Sequence, residues 1–197
     1  MAHMKSDGIH EEVVFEGLDL TGEELVGARY DGCTFRRVDL AGATLRRCVF
    51  DDCRFLHCDL SNLRLPDARL RGVRFEDSKL LGIDFTRAQP LGLELAFTRC
   101  VLRYASFVGM TLEGLSLVGC QAQEVDFGEA NLESAVFTGS ALAGALFEKT
   151  RLVRADLSEA EDVTVDPTRN RLGETKLALD AAIRAAVFVG IEVPELA

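Results

Sequence analysis

The chain has no tryptophan, only four prolines, three histidines and two tyrosines, and no excess of positive charge. Each shortage removes a class of function. No apolar run approaches the roughly 18 residues that a membrane-spanning helix needs. The opening "MAHMKSDGIHEE" holds no apolar stretch of signal-peptide type. Lysine and arginine total 22 against 32 acidic residues, giving a formal charge of −10, so ordinary phosphate-backbone binding is not expected. No basic stripe is interleaved with aromatics, which argues against direct nucleic-acid contact. The three histidines are His3, His10 and His57, the first two near the N-terminus. No glycine-rich phosphate loop and no nucleophile–base pair has a recognisable context, so the expectation is a non-enzyme without cofactor or metal. Six cysteines without a secretory signal suggest free thiols in a reducing cytoplasm.

What the chain has in quantity is a period of five. Stepping by five from Phe15 meets Leu20, Leu25, Tyr30, Phe35, Leu40, Leu45, Phe50, Phe55, Leu60, Leu65, Leu70, Phe75, Leu80 and Phe85. Pro90 breaks the register, and a second series runs from Phe97 to Leu157, with Ala122 its one weak member. Two residues before each large residue stands a smaller one, such as Ala28, Val38, Ala43, Ala105 and Ala135. Five residues of α-helix rotate by about 500°, which spirals the large residues around the axis. Five residues of strand are an odd number, which sends alternate large residues to opposite faces. Both series point inward only if the chain turns a corner every five residues. Gly17, Gly22, Gly27, Gly32, Gly42, Asn62, Asp67, Gly72 and Gly82 stand two positions after large residues, where tight turns favour them. The pattern predicts an all-β solenoid with 20 residues per square coil.

The stretch "CVFDDCRFLHCDLSNL" illustrates the consequence. Cys33, Cys48, Cys53, Cys58, Cys100 and Cys120 all take the small inward position, so they read as core residues. His57 falls at an outward corner, away from them. Residues 1–10 are expected to be a flexible N-terminus, with Met-Ala-His-Met set aside as tag-like. Residues 11–166 form the solenoid, interrupted near 87–96. Residues 167–197 form a C-terminal capping and dimerisation segment. About seven coils at ~4.8 Å give ~34 Å of rod, and a tail-to-tail dimer about twice that, near two turns of duplex DNA.

Repeats such as "RVDLAGATL", "EVDFGEANLESAVF" and "RADLSEA" resemble those of pentapeptide repeat proteins. The resemblance implies a right-handed quadrilateral β-helix over roughly residues 13–160. The interruption "SKLLGIDFTRAQPLGLELAFTRCVLRYASF", with Arg87, Gln89 and Pro90 in a mid-solenoid loop, is similar to the break in the topoisomerase-protecting branch, which includes the quinolone-resistance, albicidin-resistance and microcin-immunity proteins. The tail resembles theirs too, with an Asp-Pro, a short amphipathic helix and a final Ile-Glu-Val strand. That branch implies a cytoplasmic homodimer that mimics DNA on DNA gyrase or topoisomerase IV and protects it from a toxin or antibiotic. The alternative is a β-solenoid interaction scaffold with an unrelated protein partner.

Residues just before the large ones point outward and stack every 20 positions. Asp19, Asp39 and Asp59 form such a column before Lys79; with Asp126 and Asp156 they make up the expected acidic, DNA-mimicking face. A duller reading has these aspartates hydrogen-bond corner amides. The middle of the chain is rich in arginine, and the flanking segments 11–31 and 121–166 are acidic. In the tail, Leu179, Ile183, Ala186 and Val187 recur at helical spacing, and Gly190 is placed as the C-cap. Leu179, Ile183, Val187, Phe188 and Val189 are the expected dimer interface, with the helix also closing the open end of the solenoid.

Overall fold

The computed structural model describes Met4 and residues 6–193. His3, most of the tag-like start and the end of the capping segment (residues 194–197) lie outside the described residues. The chain is an all-β solenoid, a right-handed quadrilateral β-helix of about eight turns with one short C-terminal helix. Its four faces are identified by their inward large residues. The first carries Phe15, Phe35, Phe55, Phe75 and Phe97, and the second Leu40, Leu60, Leu80 and Leu102. The third carries Leu25, Leu45, Leu65, Phe85 and Phe107, and the fourth Tyr30, Phe50 and Leu70. All of these are buried.

Every coil pairs in parallel with the next, one large residue over its counterpart 20 positions on, as in Phe15↔Phe35↔Phe55 and Tyr30↔Phe50↔Leu70. A square corner satisfies only some of its N–H and C=O groups within one coil, as where Ala43 N–H donates to Leu40 C=O at 3.0 Å, so most of the rest are satisfied on the neighbouring coil. Leu40 N–H thus donates to Asp59 C=O at 2.7 Å, and Asp59 N–H to Val38 C=O at 3.2 Å. The corner residue is left-handed at nearly every corner of the rod. Glycine holds the position at Gly72 (φ 64°), where a β-carbon would collide with the Asp52 carboxylate. The same conformation recurs at Arg47, Asp52, His57, Tyr104 and Lys149. These non-glycine corners carry a strain of roughly 1–2 kcal/mol each, which the ladder and core on both sides offset.

The interior is an aromatic zipper. Phe35 stacks on Phe55 at 4.5 Å and Tyr30 on Phe50 at 4.9 Å, and the two files meet edge to face, as Tyr30 does Phe35 at 5.3 Å. Past Phe75 and Phe97 the second file moves to the third face, through Phe85, Phe107, Phe127 and Phe147. All six cysteines are free and buried in the small inward position. Burial pushes the Cys53 thiol up to about 12, so it stays protonated. Its Sγ–H donates to Tyr30 C=O (3.5 Å) or Asp51 C=O (3.3 Å).

Four boundaries differ from the sequence expectation. The N-terminus is not loose from residue 6: Asp7 N–H donates to Val26 C=O at 2.8 Å, and residues Ile9–Glu11 form a strand. His10 takes the inward position and stacks on Tyr30 at 5.1 Å, a core role that its polarity conceals. At the other end the ladder passes Pro167, because Arg151↔Arg171 and Leu157↔Leu177 continue it for a further partial coil. Eight steps therefore separate Phe15 from Leu177, about 38 Å of rod. The interruption is smaller than it looks in sequence. Register advances by 20 from Arg54 to Arg74 and by 22 from Arg74 to Ala96, so only two extra residues enter. Phe85–Arg87 winds into a 3-10 turn capped by Asp84, Ala88 points inward, and Gln89, Pro90, Leu91 and Gly92 bulge from the fourth face. Finally, residues 191–193 are not a strand.

Among the described residues the Tyr30 hydroxyl is buried without a hydrogen-bond partner. Tyr30→Phe removes that unsatisfied group and keeps the ring stack. Stability should rise by about 1 kcal/mol, read as a higher denaturant midpoint at unchanged slope; an equal loss would mean that the hydroxyl is satisfied.

Candidate functional site

The surface is the sum of twelve outward columns, three per face including the corner, and each column is set by 20-residue stacking. Asp19, Asp39 and Asp59 stand in register on the second face, joined by successive parallel bridges. That column then passes to Lys79, Val101, Gln121, Ala141 and Glu161, so the acidic stripe is three rungs long. The two other expected members lie elsewhere. Asp126 is on the third face, between Ser106 and Leu146, and Asp156 is on the first, between Val136 and Lys176. The five aspartates do not form one face, because positions 20 apart stack whereas Asp126 and Asp156 are offset from Asp59 by 67 and 97 residues. After the two inserted residues these offsets leave remainders of 5 and 15.

Each of these carboxylates has a local structural task. Asp19, Asp39 and Asp59 accept the N–H two residues on, from Thr21 (3.0 Å), Ala41 (2.9 Å) and Ser61 (3.0 Å). Asp126 accepts from Gly128 at 2.8 Å and Asp156 from Ser158 at 3.1 Å. The corner-amide reading therefore holds, and only one oxygen of each carboxylate is taken up by it. The Thr21 amide and hydroxyl hold the Asp19 carboxyl below the usual range. For Asp59, burial raises the value, but the Ser61 hydroxyl and amide and the Lys79 ammonium outweigh it, and the net shift is downward. Asp19 and Asp59 therefore remain ionised throughout the neutral range.

Sequence reasoning missed a second electrostatic feature. Asp51, on the fourth face, is only 1% exposed. Three guanidinium groups cover it: Arg71 at 3.1 Å, Arg29 at 3.4 Å and Arg69 at 3.5 Å. The stacking rule contains the signal, because Arg29 and Arg69 flank Val49 in one column and Asp31, Asp51 and Arg71 stack beside it. The arginine-rich middle is thus partly neutralised from within.

The C-terminal helix, Leu179–Phe188, ends in a Schellman arrangement. Gly190 is left-handed (φ 78°), its N–H donates to Val187 C=O, and Ile191 N–H donates to Ala186 C=O. The helix closes the solenoid with its small residues, Ala181 and Ala185, while Arg184 donates to Val163 C=O at 2.8 Å. The large apolar residues are not the capping face. Leu179, Val187, Phe188, Val189 and Ile191 are all exposed, Leu179 by 74%, and Ile183 is half-buried. In the mid-solenoid loop Arg87, Gln89 and Pro90 are exposed, and Leu91 at its apex is 86% exposed.

Asp156 pairs with Lys176 at 2.8 Å. That ammonium, then the Ser158 hydroxyl and amide, lower its carboxyl to about 2. A depressed acid contributes stability above its unfolded pKa near 3.8 and loses it as pH falls through the folded value. Asp156→Asn should therefore lower stability at pH 5–7 by no more than about 1 kcal/mol. The difference from the unsubstituted protein should close between about pH 4 and pH 2. Denaturation midpoints across that range check it; a difference independent of pH would deny the pairing.

Among the described residues no cluster of three or more histidine, cysteine or acidic side chains could hold a metal. No helix among them is long and apolar enough to cross a membrane. No curated protein matches the chain. Among solved structures, a trypsin-treated variant of QnrB1, a plasmid-mediated fluoroquinolone resistance protein, is 22% identical with a TM-score of 0.66, covering 95% of this chain and all of that one. HetL, a pentapeptide repeat protein involved in heterocyst differentiation regulation in the cyanobacterium Nostoc sp. strain PCC 7120, is 17% identical with a TM-score of 0.62, over 88% of this chain and 86% of its own. The description of a pentapeptide repeat region matches residues 28–96, and that of pentapeptide repeats in eight copies matches 97–133 and 130–161. With its five-residue period, square coils and buried paired columns, the chain belongs to the pentapeptide repeat family.

Proposed function

We propose that the protein is a non-enzymatic, cytoplasmic binder of DNA gyrase or topoisomerase IV that protects the enzyme from a toxin or antibiotic, acting as a homodimer joined through its C-terminal segments. One observation carries this reading: a rigid rod that matches QnrB1 along its whole length and ends in an uncovered apolar helix face. Two rods joined there would extend to about 75 Å, the scale of two turns of duplex. Their anionic contacts would be discontinuous, formed by the Asp19–Asp39–Asp59 column and the acidic residues of the later coils, not by one continuous stripe.

The likeness to HetL supports a second reading, an interaction scaffold for an unrelated partner, because a closely similar rod serves a different role there. The two readings differ in the salt dependence of topoisomerase binding. Under the first, the protein binds purified gyrase saturably, and binding weakens steeply as salt rises. Replacing Asp19, Asp39 and Asp59 by asparagine keeps a corner acceptor at each site and removes three charges. The triple variant should fold normally and lose drug protection in a supercoiling assay. No binding to gyrase or topoisomerase IV at low ionic strength would leave the scaffold reading standing.

The dimer has its own test. Val187→Asp places a charge in the exposed apolar face and leaves Ala181 and Ala185 seated on the solenoid end. It should convert a dimer to a monomer in sedimentation with unchanged circular dichroism; a protein that is monomeric before substitution refutes this contact.

A further inference from the structure

On the third face the ladder opens at a seam between Arg64 and Asp84. Below it, Arg64 N–H donates to Ala43 C=O and Leu45 N–H to Arg64 C=O, both within 2.9 Å. Above it, Ser106 N–H donates to Ile83 C=O and Phe85 N–H to Ser106 C=O. Between Arg64 and Asp84 no bridge forms, and neither Leu65 N–H nor Asp84 N–H has a ladder partner among the described residues. The seam lies where the chain enters the 3-10 turn at Phe85–Arg87, and the ladder resumes directly after it, Asp67 N–H donating to Arg87 C=O at 2.9 Å.

An open groove of about 1130 Å³ lies over this seam. Arg64 stands in its middle, exposed, with no ion pair among the described residues. Arg46 and Arg87 lie to either side. Each is held by one acid, Arg46 by Glu24 at 3.0 Å and Arg87 by Asp84 at 3.2 Å. Both pairs are largely exposed, so each contributes little and can exchange partners. The groove therefore offers one uncommitted guanidinium, two that can be recruited, and backbone N–H groups without a ladder acceptor.

We propose that this groove binds a short acidic segment of a partner protein, with Arg64 gripping a side-chain carboxylate as its anchor. The planar guanidinium fork matches a carboxylate. Length limits the ligand: Glu24 to Asp84 spans three coils, about 14 Å, or roughly four extended residues. Charge limits it further. The acidic coils before Glu24, and Asp126, Glu129 and Glu148 later on the same face, would repel any longer polyanion such as a nucleic acid. This surface is opposite in sign to the acidic column on the second face, so the inference does not depend on topoisomerase binding.

The test is isothermal titration of the full chain with a blocked tetraglutamate peptide at low ionic strength. Parallel titrations use a blocked tetraglutamine peptide and inorganic phosphate. For a protein of charge −10, any binding of tetraglutamate must overcome overall repulsion, so it reports a local cationic site. The expected result is saturable binding of tetraglutamate alone, about tenfold weaker in Arg64→Ala, and unchanged in Arg103→Ala, which removes an exposed arginine on another face. Arg64→Gln repeats the test should the alanine variant fold poorly. Absent binding, binding by both Arg64 variants as tight as by the unsubstituted protein, or phosphate binding as tight as tetraglutamate would each overturn the proposal.

Discussion

A polypeptide that must point two of every five side chains inward has to reverse the sense of its backbone once in each repeat. The left-handed corner does this. The strand alternation keeps Cys33 and Phe35 on the same side of the wall, and the corner at Arg37 (φ 51°) turns the chain so that Val38 and Leu40 point inward on the next wall. Every other feature depends on that repeated corner. It fixes 20 residues per coil, and so places like residues above one another. It also sends the backbone hydrogen bonds between coils, which makes the rod stiff along its axis and indifferent to which side chains decorate its outside.

That indifference explains the surface. Inward positions are mostly apolar, chiefly phenylalanine, leucine, isoleucine, valine, alanine or cysteine, with a few polar residues such as Ser78, Ser140 and Thr150. Outward positions carry an acidic column on one face, a triple-arginine cover over Asp51 on another and an arginine-centred groove on a third. The protein is acidic overall, yet its faces differ in sign. A partner engages a face, so the net charge says little about which partner that is.

The interior was legible because its signal is a strict period of large residues, and all of the first series but Leu20, which is half-buried, are fully buried as that period requires. The corners were legible only in part. Glycines marked fewer than half of them, whereas Arg47, His57 and Lys149 adopt the same conformation because the coil imposes it over their own preference. His10 was misjudged for its polarity, although its stacking on Tyr30 follows from the same step of five. The residues of the capping face carried no signal of size: two alanines, Ala181 and Ala185, fit closely against the last coil, whereas Leu179 and Val187, expected at a dimer interface, are exposed. The acidic face was overextended, since residues far apart in sequence share a column only at multiples of 20, corrected by two after the insertion. The seam at Arg64 had no sequence signal, because it lies opposite the start of the 3-10 turn at Phe85–Arg87, which no local pattern announces.

The most direct test of the corner-and-ladder geometry is a set of through-space NMR contacts between backbone protons of the full chain. Contacts should join residues 20 apart up to the loop, as between Leu40 and Leu60. They should join residues 22 apart across it, as between Leu80 and Leu102, and residues 20 apart again beyond, as between Leu132 and Leu152. Medium-range contacts three and four residues apart throughout the chain, without the 20-residue series, would contradict the fold and with it every surface column described above.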